Sequence, residues 1–202
     1  NGPRRSARFC AIGSPIKEIK MLIKPELSCL VVIDIQDKLA PAMQSPAKVI
    51  RNTALLMRAA DRMGVPILMT EQYPKGLGRT VPQLQGIAPQ AQVFEKIHFS
   101  CMNEELFQKA FEATGRRQVV ITGMEAHICV MQTGVDLMDK GYEIFVVTDA
   151  TASRTLESEK ACLDRLGAAG AGIVTTEMVI YEWLGRAGTE AFKEMLPFIK
   201  NS

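Results

Sequence analysis

From Ser28 onward, short apolar runs alternate with amphipathic stretches along the chain. The runs Leu30–Ile35, Val65–Thr70, Val93–Lys96, Val119–Thr122, Ile144–Thr148 and Gly172–Thr175 are short and bounded by polar or turn-forming residues, which predicts strands. Helical spacing of apolar residues predicts helices at about Ala47–Met63, Glu104–Ala113, Cys129–Lys140, Glu157–Ala169, Glu177–Leu184 and Thr189–Phe198. Gly64 and Gly141 fall where helix-ending glycines belong. Strands apolar on both faces, alternating with helices, mark an α/β fold around a parallel sheet covered on both sides. Right-handed crossovers then bring the carboxyl ends of all the strands to one edge, where the following loops gather. Chemistry is expected at that edge.

Composition narrows the class. At 202 residues the chain is large enough for one well-buried core, and no linker, repeat or low-complexity stretch divides residues 21–202. The first twenty residues differ from the rest and are expected to be a disordered extension. They carry Arg4, Arg5, Arg8, Lys17 and Lys20 against Glu18 alone, and a transit peptide or a simple upstream extension before Met21 both fit. The whole chain is +2 and the remainder −2, so no basic field for nucleic acid remains. No apolar run is long enough to span a bilayer. The cysteines Cys10, Cys29, Cys101, Cys129 and Cys162 are odd in number and lack Cys-x-x-Cys spacing, which suggests reduced thiols in a cytosol-like compartment.

Three strand ends carry ionisable residues. Asp34 ends the first apolar run, where burying a carboxylate is costly without a counter-charge. Lys96 ends the third run and supplies one. The fourth run breaks at Gly123 and leads to Cys129, placed at a predicted helix start where unpaired N–H groups and the helix dipole favour thiolate. Separately, each has a structural alternative: a loop cap, a surface amine, a core thiol. Asp37 competes with Asp34 as base, and His127 suggests a Cys–His dyad, although the turn between His127 and Cys129 is expected to part their side chains.

The order Val-x-Ile-Asp34-x-Gln36, Phe-x-Lys96 ahead of Phe99-Ser100, Gly123-x-Glu-Ala-x-x-Cys129-Val130 and Asp149-Ala150-x-x-Ser153 resembles the isochorismatase-like cysteine hydrolase superfamily. The resemblance spans about Leu27 to Leu184. It implies a three-layer Rossmann-like fold, with a six-stranded parallel sheet between helices, and a catalytic triad on Asp34, Lys96 and Cys129. It also implies an oxyanion hole from the N–H groups of Glu125 and Cys129, a cis Met124–Glu125 bond, and hydrolysis of an amide-type C–N bond through a thioester.

Nicotinamidases of the superfamily carry an Asp-x-His metal pair after the second strand, whereas this chain reads Thr70-Glu71-Gln72-Tyr73-Pro74-Lys75-Gly76-Leu77-Gly78. A metal-free, cofactor-free site is therefore expected. True isochorismatases generally lack the cysteine, so Cys129 argues against a vinyl ether substrate. The Thr70–Gly78 segment resembles the isochorismatase domain-containing hydrolases, whose substrates are unassigned. Gln36, Glu71, Gln72, Tyr73, Phe99 and His127 are candidate walls of a small-molecule pocket; a glycine-requiring turn is the competing reading of residues 70–78. Family habit implies a homo-oligomer, with Met178, Leu184, Met195 and Leu196 as a candidate self-association face. A binding or redox-responsive protein that retains the reactive thiol is the alternative to an enzyme, and a dinucleotide-binding role lacks its Gly-x-Gly-x-x-Gly turn.

Overall fold

A computed structural model of the chain describes residues 22–200. The expected extension at 1–20 lies outside the described residues. In chain order the elements are β1 (Ser28–Ile33), α1 (Pro46–Arg62), β2 (Ile67–Gln72), α2 (Pro74–Leu77), β3 (Gln92–Lys96), α3 (Glu105–Ala113), β4 (Gln118–Met124), α4 (Met131–Asp139), β5 (Glu143–Ala152), α5 (Leu156–Ala168), β6 (Gly172–Val174), α6 (Thr176–Leu184) and α7 (Glu190–Lys200). All strand pairings in the sheet are parallel, in the order β3-β2-β1-β4-β5-β6. The expected six-stranded α/β fold is what forms.

Alternation along each strand divides the core in two. Leu30 and Val32 of β1 join Leu56 of α1, Val179 and Trp183 of α6, and Ile199 of α7 on one face. Cys29, Val31 and Ile33 join Phe107 and Phe111 of α3, Leu137 of α4 and Leu166 of α5 on the other. Burial of these side chains on both faces is the main force holding the layers together. Leu184 and Met195 belong to the first cluster, and Leu196 is half-buried. The proposed self-association face is thus largely core, because α6 and α7 pack over their own sheet; only Met178 of the four is exposed.

The strand ends lie elsewhere than the apolar runs suggest. β2 starts two residues late and continues through Glu71 and Gln72, polar residues that a run of hydrophobicity cannot include. Their side chains find fixed partners, which removes the cost of burying them. β4 likewise runs through Gly123 rather than breaking there, and β5 extends to Ala152. Sheet order reverses between β1 and β4, so the chain leaves their carboxyl ends in opposite directions and opens a crevice between them. Asp34 follows β1, and Cys129 lies five residues beyond β4. Among the described residues no helix is long and apolar enough to cross a membrane.

Candidate active site

Asp34 is the first residue beyond β1. Its φ of 53° turns the chain out of the strand, a conformation uncommon outside glycine and Asn/Asp that clusters at functional sites. The carboxyl is fully buried. Oδ1 accepts a hydrogen bond from Thr70 Oγ1 at 2.8 Å, and Oδ2 lies 2.7 Å from Lys96 Nζ, whose side chain is also fully buried. Lys96, the last residue of β3, also donates to Gln72 Oε1 at 2.6 Å and faces the carbonyls of His98 and Phe99 at 3.3 and 3.2 Å. The Cys129 thiol reaches the same Gln72 oxygen, with Sγ at 4.0 Å, and interacts with the Asp34 carboxyl. Acid, ammonium and thiol thus meet beside one amide.

Burial pushes the Asp34 carboxyl above the ordinary carboxylate value, with the Lys96 charge as the main opposing influence. Burial works against the Lys96 ammonium too, but the Asp34 charge is the main influence that holds it above the ordinary lysine value. The two therefore form an ion pair in which Asp34 is a stronger base than a solvated carboxylate. Cys129 is pushed up to about 12, first by burial, then by the Asp34 charge, against the attraction of Lys96.

This corrects the expectation of a thiolate favoured by a helix start. Cys129 sits in a π-turn, Ala126–Val130, ahead of α4, and the N–H groups of Ile128 and Val130 are taken by the Glu125 carbonyl. Burial outweighs the attraction of Lys96 and holds the thiol above its ordinary value. The Met124–Glu125 bond that precedes the turn is cis.

The other candidates separate. Asp37 is exposed and outside the cluster. His127 engages Ser153 Oγ through Nδ1 at 2.8 Å, so the ring is anchored to the end of β5 and forms no dyad with Cys129. Gln36 is fully buried, and its amide is committed to backbone. Nε2 donates to the Gln72 and Gly78 carbonyls at 3.0 and 2.6 Å, and Oε1 accepts the Gln72 N–H at 2.8 Å. It is a clamp on the 72–78 segment and no pocket wall.

Glu71 also departs from its expected place. Strand alternation sends it to the sheet face opposite Gln72, where Oε1 accepts from Thr80 N and Oγ1 at 2.7 and 2.8 Å and Oε2 from Arg79 at 2.8 Å. Burial works against its charge, but these bonds hold it below the ordinary carboxylate value. There it borders a cavity of about 440 Å³ with Met57, Met69 and Leu84, away from Cys129. Tyr73 and Phe99 are exposed beside the cluster.

Sequence reasoning missed Thr70, which orients Asp34, and Glu104, whose Oε1 accepts the N–H groups of Ile97 and His98 at 2.8 and 3.0 Å and so fixes the turn that faces Lys96. A hydroxyl closing an apolar run was the available signal for Thr70; Glu104 offered none. Among the described residues no group of three or more His, Cys, Asp or Glu side chains is arranged to hold a metal ion.

Fold and site together define a Rossmann-like α/β protein with a buried acid–ammonium–thiol cluster at the point where strand order reverses. The chain belongs to the isochorismatase family, whose domain model matches residues 28–178. Isochorismatase family protein 1B of Dictyostelium discoideum is 35% identical over 182 residues, covering 88% of each chain. Isochorismatase domain-containing protein 1 of Danio rerio is also 35% identical, over 89% of this chain and 63% of that longer one. The MAR1 ribonuclease of Caenorhabditis elegans superposes with a TM-score of 0.85 at 34% identity, covering 90% of this chain and 94% of its own. YcaC of Pseudomonas aeruginosa, solved with hexane-2,5-diol and covalent acrylamide, gives 0.84 at 26% identity over 89% and 92%.

Proposed function

We propose that the protein is a cysteine hydrolase that cleaves the C–N bond of a small amide-type substrate. The observation that carries this reading is the buried Asp34–Lys96 ion pair beside the Cys129 thiol. Asp34 takes the thiol proton as sulfur attacks the carbonyl carbon, and the new oxyanion is met by the N–H groups of Glu125 and Cys129. Such donors are each worth about 3–4 kcal/mol in other acyl-transfer enzymes. Collapse expels the amine with the proton from Asp34 and leaves a thioester. Water then gives a proton to Asp34, attacks the thioester, and releases the acid as the thiol is re-formed. Lys96 keeps Asp34 ionised between steps.

Two alternatives fit less well. A redox sensor works through an accessible low-pKa thiolate, whereas Cys129 is buried and its thiol is pushed up to about 12. Ribonuclease activity, named for the C. elegans relative, calls for a phosphate-binding basic surface, and beyond residue 20 this chain is net −2. The covalent acrylamide on YcaC supports a nucleophilic site in that relative, and by extension here.

The test is a panel of small amides, ureas and carbamoyl compounds assayed for ammonia release, with Cys129→Ala as control and mass spectrometry of the acyl adduct. Release that depends on Cys129 and a thioester on that residue are expected; release undiminished in Cys129→Ala would overturn the reading.

A further inference from the structure

Tyr73 combines three features that core packing does not explain. It follows β2 directly with φ 37° and ψ 62°, a left-handed conformation that is strained for an aromatic residue. It is held there from both sides. Its N–H donates to the Lys96 carbonyl at 2.8 Å, and its carbonyl accepts the N–H groups of Gly76 and Leu77 at 2.8 and 3.0 Å. Its ring lies on the backbone of residue 76, where an added Cβ would stand 2.6 Å from Cδ1 and 2.7 Å from Cε1. The residue nevertheless remains 56% exposed, so the strain and the glycine position an aromatic side chain that the fold itself does not bury.

The segment that carries it adjoins the catalytic corner, since the Tyr73 N–H donates to the Lys96 carbonyl. Gln72, the preceding residue, touches both Lys96 and Cys129. Two further exposed apolar residues are tied to the same groups: Ile97, 70% exposed, accepts Gln72 Nε2 through its carbonyl at 2.9 Å, and Phe99, 53% exposed, offers its carbonyl to Lys96. Polar atoms from residues 72, 97, 98 and 99 meet at this corner, and Tyr73, Ile97 and Phe99 leave apolar surface exposed on the same segments, the combination of polar and apolar groups that small-molecule sites use.

We infer that Tyr73 is a specificity-determining residue whose ring packs against the non-reacting part of the substrate, and that the substrate class is a small carbonyl compound bearing a flat apolar group, such as an aryl amide. This rests on the reading of Cys129 as the nucleophile.

Alkylation tests it without knowledge of the natural substrate. In the reaction with 2-iodo-N-phenylacetamide or iodoacetamide, Cys129 sulfur forms a bond to the methylene carbon, iodide leaves, and Asp34 takes the thiol proton. Rates are read by mass spectrometry of the Cys129 peptide and normalised to those of each reagent with glutathione. An aryl preference of about three- to tenfold is expected for a ring contact of this kind. Tyr73→Phe keeps the ring and the preference. Tyr73→Ala removes the ring, and Gly76→Ala displaces it while leaving the tyrosine in place; both bring the normalised ratio close to one. Reaction at Cys129 with no aryl preference, or a preference that survives both Tyr73→Ala and Gly76→Ala, overturns the inference and leaves the nucleophile standing. Failure of both reagents at Cys129 overturns the nucleophile, and the inference with it.

Discussion

At the scale of single residues, the upward push of burial on the Cys129 thiol is the controlling influence. A thiol pushed up to about 12 is a poor nucleophile at neutral pH unless a base removes its proton, and Asp34 is the ionisable acceptor beside it. The alkylation rate at Cys129 should therefore fall as pH drops through the titration of Asp34, which lies above the ordinary carboxylate value, because a protonated carboxyl accepts nothing. Asp34→Asn should lower the rate at neutral pH by about 100-fold or more. It should also leave only a rise with alkaline pH that begins below 12, because the Asp34 charge that helps hold the thiol proton is gone and the Lys96 ammonium remains. The same change strands a buried ammonium and is expected to cost about 3–5 kcal/mol of stability, so rates must be corrected for the folded fraction. A pH profile identical to wild type in Asp34→Asn would remove Asp34 from the base role. The meeting of Asp34, Lys96 and Cys129 was legible in the sequence, because two charges at the ends of apolar strands and a thiol shortly after a third share one edge of the sheet. Gln36 and Glu71 were not, since whether a polar side chain faces the site or the opposite side depends on where the strand ends.

At the scale of elements, that same two-residue extension of β2 decides the site. It makes Glu71 and Gln72 alternate across the sheet, one fixing Thr80 and Arg79 and the other joining Lys96 to Cys129. The sequence located every strand, yet polar strand ends paired through side chains have no hydrophobic signal to mark them. Gly123 illustrates the point: it reads as a strand breaker but lies within β4, paired with Ile33 of β1. Its φ is 135°, and a Cβ there would lie 2.0 Å from the Ile33 carbonyl oxygen and 2.7 Å from its nitrogen. Close approach of the two backbones at the crevice requires this residue. Gly123→Ala is expected to cost about 4 kcal/mol or more, since backbone on both sides would have to move. Gly64→Ala, with φ 68° but nothing within 4 Å of the new carbon, should cost only about 1 kcal/mol. Urea unfolding of the two variants measures the contrast, and equal losses would refute the close-approach argument.

Across the whole molecule, the two apolar layers that sandwich the sheet also set its response to alkali. Cys29, Cys101, Cys129 and Cys162 are all buried, with their thiols pushed up to about 12, 11, 12 and 11 from an ordinary value of 9.0, in each case first by burial. The native state holds these protons at pH values where the unfolded chain has released them. Stability from this source is fully present below pH 9 and is lost as pH rises through the folded values, at up to about 1.4 kcal/mol per pH unit for each thiol. The Lys96–Asp34 pair acts in the same direction, because Lys96 is held above its ordinary value and its contribution is lost at high pH. Between pH 9 and pH 11 the loss from the four thiols should be about 8 kcal/mol, comparable to the whole stability of a typical domain. Urea midpoints should therefore be level between about pH 7 and pH 9 and fall steeply above it. Cys29→Ala and Cys162→Ala, both outside the reacting cluster, should each remove about a quarter of the thiol part of that slope. A midpoint that stays constant from pH 8 to pH 10, or a slope that ignores both substitutions, would mean that the layers admit water and that burial does not hold the thiol protons; the same finding would weaken the case for Asp34 as the group on which Cys129 depends.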